Sequence, residues 1–400
     1  MLQEFTLFAD QLDRTTAMLH ATWQVDPAAV RHVIAPYRIC PLGAHIDHQG
    51  GHVLGRTINT GTVLSYAPLD EPQVALLSTE FDSMARFTIG AAVEKSHWAR
   101  YAQAAALALQ QQKPLSKGLV GVASGTLIGA GLSSSASVGL SYLSSLAAVN
   151  DMALTADVLV ELDRQLENDH LGLQNGILDQ SSIVYGHERS FSYIHIREQQ
   201  VTAVPDPVDT ERVCWLVVYS GLPRILTDTD YNHRVAECRQ AAQWLQADAS
   251  ILSDVPPALF QKEQASMPVA LSRRANHYFA EVERVSQGAL AWEEGEFERF
   301  GRLMNASSSS SIHQYECGHE AIIGLQQIVS SSDGVYGSRF SGGGYGGCVI
   351  ALADATQAAA AASTIITSYR EQFPAIADQA AVYLARSADG LRQVGADERG

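Results

Sequence analysis

The chain has 400 residues, 46% of them hydrophobic; that exceeds one ordinary core, so two domains are expected. Its formal charge of −16 is interspersed rather than blocked, and the absence of a basic stripe excludes nucleic acid and anionic membranes as partners. The cysteines, Cys40, Cys214, Cys238, Cys317 and Cys348, are scattered without a C-x-x-C, which excludes a disulfide framework and a structural zinc and suits a reducing compartment.

No apolar run approaches the roughly 20 residues of a membrane span, and the start Met1-Leu2-Gln3-Glu4-Phe5 has no basic-then-apolar signal, so a cytoplasmic protein is expected. Phe5 to Thr22 has helical spacing, and Val33 to Ile39 suits a short strand. The stretch from Ala35 to His52 holds Pro36, Pro41, Gly43, Gly50 and Gly51, which marks a long loop. Its His45, His48 and His52 match no strong zinc spacing and are expected to hydrogen-bond a polar ligand or one another. Arg38 and Asp47, flanked by apolar residues, are candidates for a site.

Alternation over Val63–Tyr66, Gln73–Ser78 and Ala85–Ile89 predicts an antiparallel sheet. His97 to Gln112 predicts a helix, with Trp98 and Tyr101 most simply in its core face. Leu119 to Ala123 then reads as a strand, and Ser137 to Val149 as a buried helix. Between them lies Gly129-Ala130-Gly131-Leu132-Ser133-Ser134-Ser135-Ala136. Small residues let a backbone close around phosphate, and the free N–H groups and dipole of a helix start favour an anion there. The same pattern also suits a serine-capped helix after a tight turn. No G-x-x-x-x-G-K-[ST] occurs, so a nucleotide site here is not of the Walker type.

A helix capped at Thr155 is expected to run to about Asn168 and to end in Glu167-Asn168-Asp169-His170. Asp179, set among Ile177, Leu178 and Ile183, is either a helix cap or a functional acid. The polar, proline-containing region Arg197 to Arg212 is the expected domain junction, giving domains 1–198 and 199–400. A strand at Val213–Ser220 follows, then helices opening near Asp230 and covering Ser272–Gln287 and Glu296–Met304. Ser307 to Ser311 looks like low complexity. The loop Ser341-Gly342-Gly343-Gly344-Tyr345-Gly346-Gly347 lies between two strands, where another backbone or a ligand must come close. Thr356 to Tyr369 is an amphipathic helix, and no repeat of 20–50 residues is present.

Three separated stretches together resemble the GHMP small-molecule kinases: Arg38 to Gly51, Gly131-Leu132-Ser133-Ser134-Ser135-Ala136, and Ser341 to Cys348. Gly43 to Gly51 is similar to the galactokinase signature G-x-H-x-D-x-x-G-G. Asn175-Gly176-Ile177-Leu178-Asp179-Gln180 and Tyr231-Asn232-His233-Arg234 look like galactokinase segments. Ala35 to Gly51 matches almost word for word the branch whose members act on galacturonate.

The resemblance implies an α+β, two-domain GHMP kinase fold with the active site in the cleft between the domains. It implies ATP on Gly129, Gly131, Ser133, Ser134 and Ser135, and Mg²⁺ on Ser135 and Glu167. Asp179 corresponds to the base for the anomeric hydroxyl, and Arg38 to the cation beside it. Ala44, His45, Asp47, Gly176 and Tyr231 correspond to sugar contacts. Two departures stand out. Leu127 replaces the proline that usually opens the phosphate loop, and Ser308 replaces a frequent histidine.

The implied function is an ATP-dependent sugar-1-kinase that converts galacturonate to galacturonate 1-phosphate and ADP. The alternatives are the same reaction on neutral galactose and a non-catalytic sugar sensor. Ala44 favours the uronate, because galactokinases commonly carry an acid there, directed at C6. Arg224 and Arg234 are candidates to meet a C6 carboxylate. The partner is a small sugar or uronic acid, and no sequence feature specifies an oligomeric state.

Overall fold

The computed structural model describes residues 1–81, 83–94, 97–172, 176–222 and 231–395, with only the backbone of Tyr231. In chain order the strands are β1 (Leu2–Glu4), β2 (Arg31–Leu42), β3 (Val53–Leu69), β4 (Gln73–Ser78), β5 (Ala85–Thr88), β6 (Gly118–Ser124), β7 (Ser190–His195), β8 (Gln200–Pro205), β9 (Val213–Tyr219), β10 (Val335–Phe340), β11 (Cys348–Asp354), β12 (Ala381–Ala385) and β13 (Arg392–Val394). The helices are α1 (Phe8–Trp23), α2 (Arg100–Gln110), α3 (Ser134–Val149), α4 (Ala156–Gln165), α5 (Leu178–Val184), α6 (Tyr231–Leu245), α7 (Pro257–Glu263), α8 (Val269–Glu293), α9 (Phe297–His313), α10 (Glu320–Ser330) and α11 (Ala358–Gln372).

The strands form two sheets. The first is eight-stranded, in the order β13-β2-β3-β6-β4-β5, with the β7–β8 hairpin joined to β3; the second is five-stranded, in the order β1-β12-β9-β11-β10. The termini are exchanged between them: β1 pairs with β12, and β13 with β2. The expected boundary at 198/199 falls in the turn of the β7–β8 hairpin, and both of its strands belong to the first sheet. After β1, the chain returns to the second sheet only at β9. The expected sheet around residues 63–89 is mixed: β4 and β5 are antiparallel, but β4 runs parallel to β6.

The stretch from Ala35 to Leu42 is not a loop but the second half of β2. Its two prolines survive in a strand because the pairing with β3 shifts register between Pro36 and Tyr37 and again between Ile39 and Leu42. Proline is tolerated where the ladder is already interrupted. This extension carries Arg38 into the interior, with 3% of its surface exposed. Alanines and leucines of α2, α3 and α4 cover one face of the first sheet. The helices α8 and α9 pack Val285, Trp292, Phe300 and Met304 against Leu216-flanking residues Trp215 and Val217 of the second sheet and Tyr37 and Ile39 of the first.

Three residues of the serine run, Ser307, Ser308 and Ser311, give α9 a buried polar face. Ser307 donates to Glu281 and accepts from Arg339, and Ser310 meets His277. No helix among the described residues is long and apolar enough to cross a membrane.

Candidate active site

The turn from β6 to α3 is shaped for close backbone approach. Leu127, Gly129, Gly131 and Ser133 take φ values of 47°, 75°, 79° and 65°. Proline is locked near −65°, so this turn follows a path closed to it, and Leu127 is a conformational departure as well as a chemical one. A Cβ on Gly131 would stand 2.7 Å from the carbonyl oxygen of Ser341. The turn and the glycine hairpin between β10 and β11 therefore touch backbone to backbone. Helix α3 opens at Ser134, three residues earlier than expected, which puts Ser134 and Ser135 in its first turn among N–H groups that lack intrahelical partners. Gly129 N donates to Ser134 Oγ at 3.2 Å. Ser133 Oγ is buried and has no hydrogen-bond partner among the described residues.

Arg38 joins this turn to α5. Its Nε and Nη2 donate to Asp179 Oδ1 at 2.9 and 2.7 Å, and its Nη1 to the Gly131 carbonyl at 3.3 Å and Ser341 Oγ at 3.4 Å. Ser341 Oγ itself donates to Gly131 O at 2.8 Å. One guanidinium thus fastens strand, turn, hairpin and acid together. Asp179 lies in the first turn of α5 with its side chain 18% exposed, so it is both charge-paired and reachable.

Asp47 follows on the next loop. It is buried, and its Oδ2 accepts from Leu178 N at 3.5 Å. Burial, and then the charge of Asp179, push its carboxyl up to about 6, against the pull of the His48 and Leu178 amides and Arg38. Gly176 passes so close that a Cβ there would lie 2.5 Å from Asp47 Oδ2. Asn175 and Arg224 lie outside the described residues, as does the Tyr231 side chain.

Ala44 and His45 are held from behind by α8. Gly43 N donates to Glu281 Oε1 at 2.8 Å, and His277 Nε2 to the Ala44 carbonyl at 3.0 Å. Burial holds His277 down at about 4, so the ring is neutral with Nε2 as donor. His45, at φ 64°, stacks on Tyr315 at 4.5 Å with Nε2 3.4 Å from Cys317 Sγ. His48 Nε2 meets Tyr315 Oη at 3.1 Å, and His52 packs instead against Tyr193 and His195. The loop histidines therefore do not converge on one point. Arg234 Nη1 donates to Glu237 Oε2 at 2.8 Å.

Glu167 sits in a π-helical turn, Leu166–His170, where a regular continuation of α4 was expected. The widened turn coincides with a fully buried Glu167 side chain, whose Oε2 accepts from Gln180 Nε2 at 2.9 Å. A six-residue connection between packed helices makes α4 antiparallel to α3. The Asp163 carboxylate lies over Gly139; stepping one turn on to Glu167 therefore steps one turn back on α3, to Ser135. That register brings the two expected cation-binding residues to the same level.

Beside the turn lies a cavity of about 580 Å³ lined by Phe81, Trp98, Tyr101, Tyr142 and Ser133 to Ser135. The Phe81 and Trp98 rings stack at 5.8 Å, and Trp98 Nε1 donates to Ser83 at 3.0 Å. Trp98 is thus a wall of this cavity rather than simple core. Glu281 and His277 were not singled out from the sequence, and Ser341 was named only as the first residue of the glycine loop.

Two family models match the chain: the GHMP kinases N terminal domain over residues 100–187 and the GHMP kinases C terminal over 288–371. A galacturonokinase from Arabidopsis thaliana is 41% identical over 384 residues, covering 88% of this chain and 90% of that protein. A galactokinase from Roseiflexus sp. (strain RS-1) is 31% identical over 371 residues, covering 91% and 93%. The crystal structure of Lactococcus lactis galactokinase complexed with galactose superposes with a TM-score of 0.89 at 27% identity, covering 96% of this chain and all of that one.

Proposed function

The chain belongs to the GHMP kinase family, in its galactokinase-like branch, and is an ATP-dependent sugar-1-kinase; we propose that its sugar is galacturonate and its products galacturonate 1-phosphate and ADP. The observation that carries this choice of sugar is the likeness to a galacturonokinase along nearly the whole chain. Ala44 agrees with it, since an acid at that position would face the C6 carboxylate.

In this reading the ATP phosphates lie on Gly129, Gly131 and Ser133 to Ser135 at the start of α3, with the base in the cavity walled by Phe81 and Trp98. The buried, unpaired Ser133 Oγ is a donor waiting for an anion. Ser135 and Glu167 offer a hydroxyl and a carboxylate, the hard oxygen donors that suit Mg²⁺. When bound, that ion neutralises charge on the transferring phosphates.

Asp179 takes the proton of the anomeric hydroxyl, whose oxygen then forms the new bond to phosphorus as the bond to ADP breaks. Arg38 fixes the Asp179 carboxylate through their ion pair at 2.7 Å. His45, Asp47, Gly176 and Tyr231 hold the sugar. The free cysteines suit the reducing cytoplasm, to which we assign the protein.

A second reading, galactose as the substrate, is favoured by the galactose-bound structural neighbour. A panel of hexoses and hexuronates assayed for ATP consumption separates the two. Galacturonate is expected to give the highest kcat/KM; turnover of galactose as good or better would replace this reading with galactokinase, and no turnover of any sugar would leave a sensor.

A further inference from the structure

His52 follows the Gly43–Gly51 loop, and the reaction above gives it no part. It precedes β3, whose Val53 pairs with Ile194 of β7 in antiparallel register. Carried one residue outward, that register sets His52 opposite His195, on the same face of the two strands. Their rings meet edge-on at 4.9 Å, and Tyr193, two residues back on that face, packs against them at 5.8 and 4.6 Å. Glu198 stands in the β7–β8 turn, three residues beyond His195, where Gln199 takes a left-handed φ of 52°. One nitrogen or oxygen from each of His52, His195 and Glu198 lies within 4.8 Å of the other two.

The structure leaves these groups weakly committed. His52 Nδ1 is buried and has no hydrogen-bond partner among the described residues, and His195 Nε2 meets Thr202 Oγ1 at a long 3.4 Å. Glu198 is exposed, while Arg197 beside it is engaged elsewhere, with Asp254 at 3.2 Å and the Ser253 carbonyl at 2.8 Å. Two imidazoles and one carboxylate are a donor set of Zn²⁺ sites that keep a further position open. Mg²⁺ takes oxygen donors, so this cluster does not duplicate the pair Ser135 and Glu167. With bonds of about 2.1 Å, ligand atoms of a tetrahedral site stand about 3.4 Å apart. The cluster must therefore close by about an ångström, which rotation of the exposed Glu198 side chain can supply.

We propose that His52, His195 and Glu198 form a second cation site, for a transition ion of the Zn²⁺ class, remote in chemistry from the site that serves ATP. A bound ion straps the end of the Gly43–Gly51 loop to the β7–β8 hairpin. Its role is structural, because none of the three residues is assigned to the substrates.

The test titrates tag-free, chelator-washed full-length protein with Zn²⁺ by calorimetry, in excess Mg²⁺ and ADP so that the Ser135–Glu167 site is already filled. Wild type, His195→Ala and Glu198→Gln are compared, and each is melted with and without Zn²⁺. Wild type is expected to bind a single tight Zn²⁺ and to melt at a higher temperature with it. Each variant should bind Zn²⁺ about tenfold more weakly or worse, at least the loss that removing an outer partner of a metal ligand causes. Each should also lose the Zn²⁺-dependent rise in melting temperature. Without Zn²⁺, kcat and both KM values of the variants should stay within about twofold of wild type.

Glu198→Gln changes one exposed side chain, so it decides the matter if His195→Ala fails to fold. No Zn²⁺ binding by wild type overturns the proposal. Equal Zn²⁺ affinity in wild type and Glu198→Gln also overturns it, since the ion would then be held by other histidines or by cysteines. Displacement of the Zn²⁺ by further Mg²⁺ would place the ion at the oxygen site and overturn it as well. None of these outcomes bears on the assignment of Glu167 or on the sugar that is phosphorylated.

Discussion

Arg38 grips Asp179 by a single oxygen: Nε at 2.9 Å and Nη2 at 2.7 Å both donate to Oδ1, while Oδ2 accepts no hydrogen bond from any described residue. A two-oxygen clasp would occupy the lone pairs a base needs. This one fixes the carboxylate plane and leaves Oδ2 for a sugar hydroxyl. Asp179→Asn keeps the shape and removes the base. We expect it to retain fold and ATP affinity and to lose more than nine-tenths of kcat, in line with the hundred- to ten-thousandfold that general bases typically contribute. Retention of more than a tenth of wild-type kcat would make Asp179 a helix cap.

Gly131 tests the contact between the phosphate turn and the glycine hairpin. Its φ is +79°, and a Cβ would lie 2.7 Å from Ser341 O; Gly172, at φ +76°, has nothing within 4 Å. Gly172→Ala should cost only the left-handed strain, about 1 kcal/mol. Gly131→Ala adds a backbone collision, so it should cost more and raise the KM for ATP severalfold. Thermal melts and ATP titrations of the two variants check this. Equal effects would show that the contact yields without consequence.

Much of this site is legible in the sequence, and what is not has physical causes. The phosphate turn is legible as a candidate, but a serine-capped helix after a tight turn has the same pattern, and only the separated stretches of the family resemblance decide between them. The union of Arg38 with Asp179 spans 141 residues and came only through the family resemblance. Pro36 and Pro41 suggested a loop because a proline removes a ladder donor; the register shifts that absorb them depend on β3, which no local pattern reveals. The serine run gains its meaning from Glu281 and Arg339, both fully buried and on other elements. Trp98 looked like core because the helix that follows it is amphipathic, and only the fold shows that its ring, stacked on Phe81, also walls a cavity.

Asp47 should make sugar binding depend on pH. With its carboxyl at about 6, it is mostly protonated at pH 5 and mostly ionised at pH 7. An ionised Asp47 accepts from sugar hydroxyls at both oxygens, so the KM for sugar should fall as pH rises through 6, and Asp47→Asn should flatten that dependence. Stability carries the opposite sign. The folded carboxyl titrates above its unfolded value of about 3.9. Its contribution is therefore fully present below about 3.9 and is lost as pH rises through 6. Above pH 6 the loss is about 3 kcal/mol at most, so Asp47→Asn should melt higher than wild type at pH 7 and show less advantage at pH 4. A KM that ignores pH between 5 and 7 in the wild type would remove Asp47 from the sugar site.

Ala44 tests the substrate by charge. Its position is well defined: it is buried, its carbonyl accepts from His277 at 3.0 Å, and the preceding amide donates to Glu281 at 2.8 Å. In the proposed pose its side chain faces C6 of the sugar. A glutamate there would set two carboxylates near each other when the sugar is a uronate. At about 4 Å and an effective dielectric near 20, the repulsion is about 4 kcal/mol, or nearly three decades in affinity. Alanine removes that repulsion and leaves room for the second oxygen. It also forfeits the hydrogen bond that a neutral 6-hydroxyl would make, so galactose should be the poorer substrate of the wild type. Ala44→Glu is therefore expected to lose at least tenfold in kcat/KM for galacturonate, with galactose less affected. Because the backbone at this position is held by α8 rather than by the Ala44 side chain, the fold should survive, and an unchanged KM for ATP would confirm that only the sugar end has moved. If Ala44→Glu lowered both sugars equally, the position would not discriminate C6 and the uronate assignment would lose its local support.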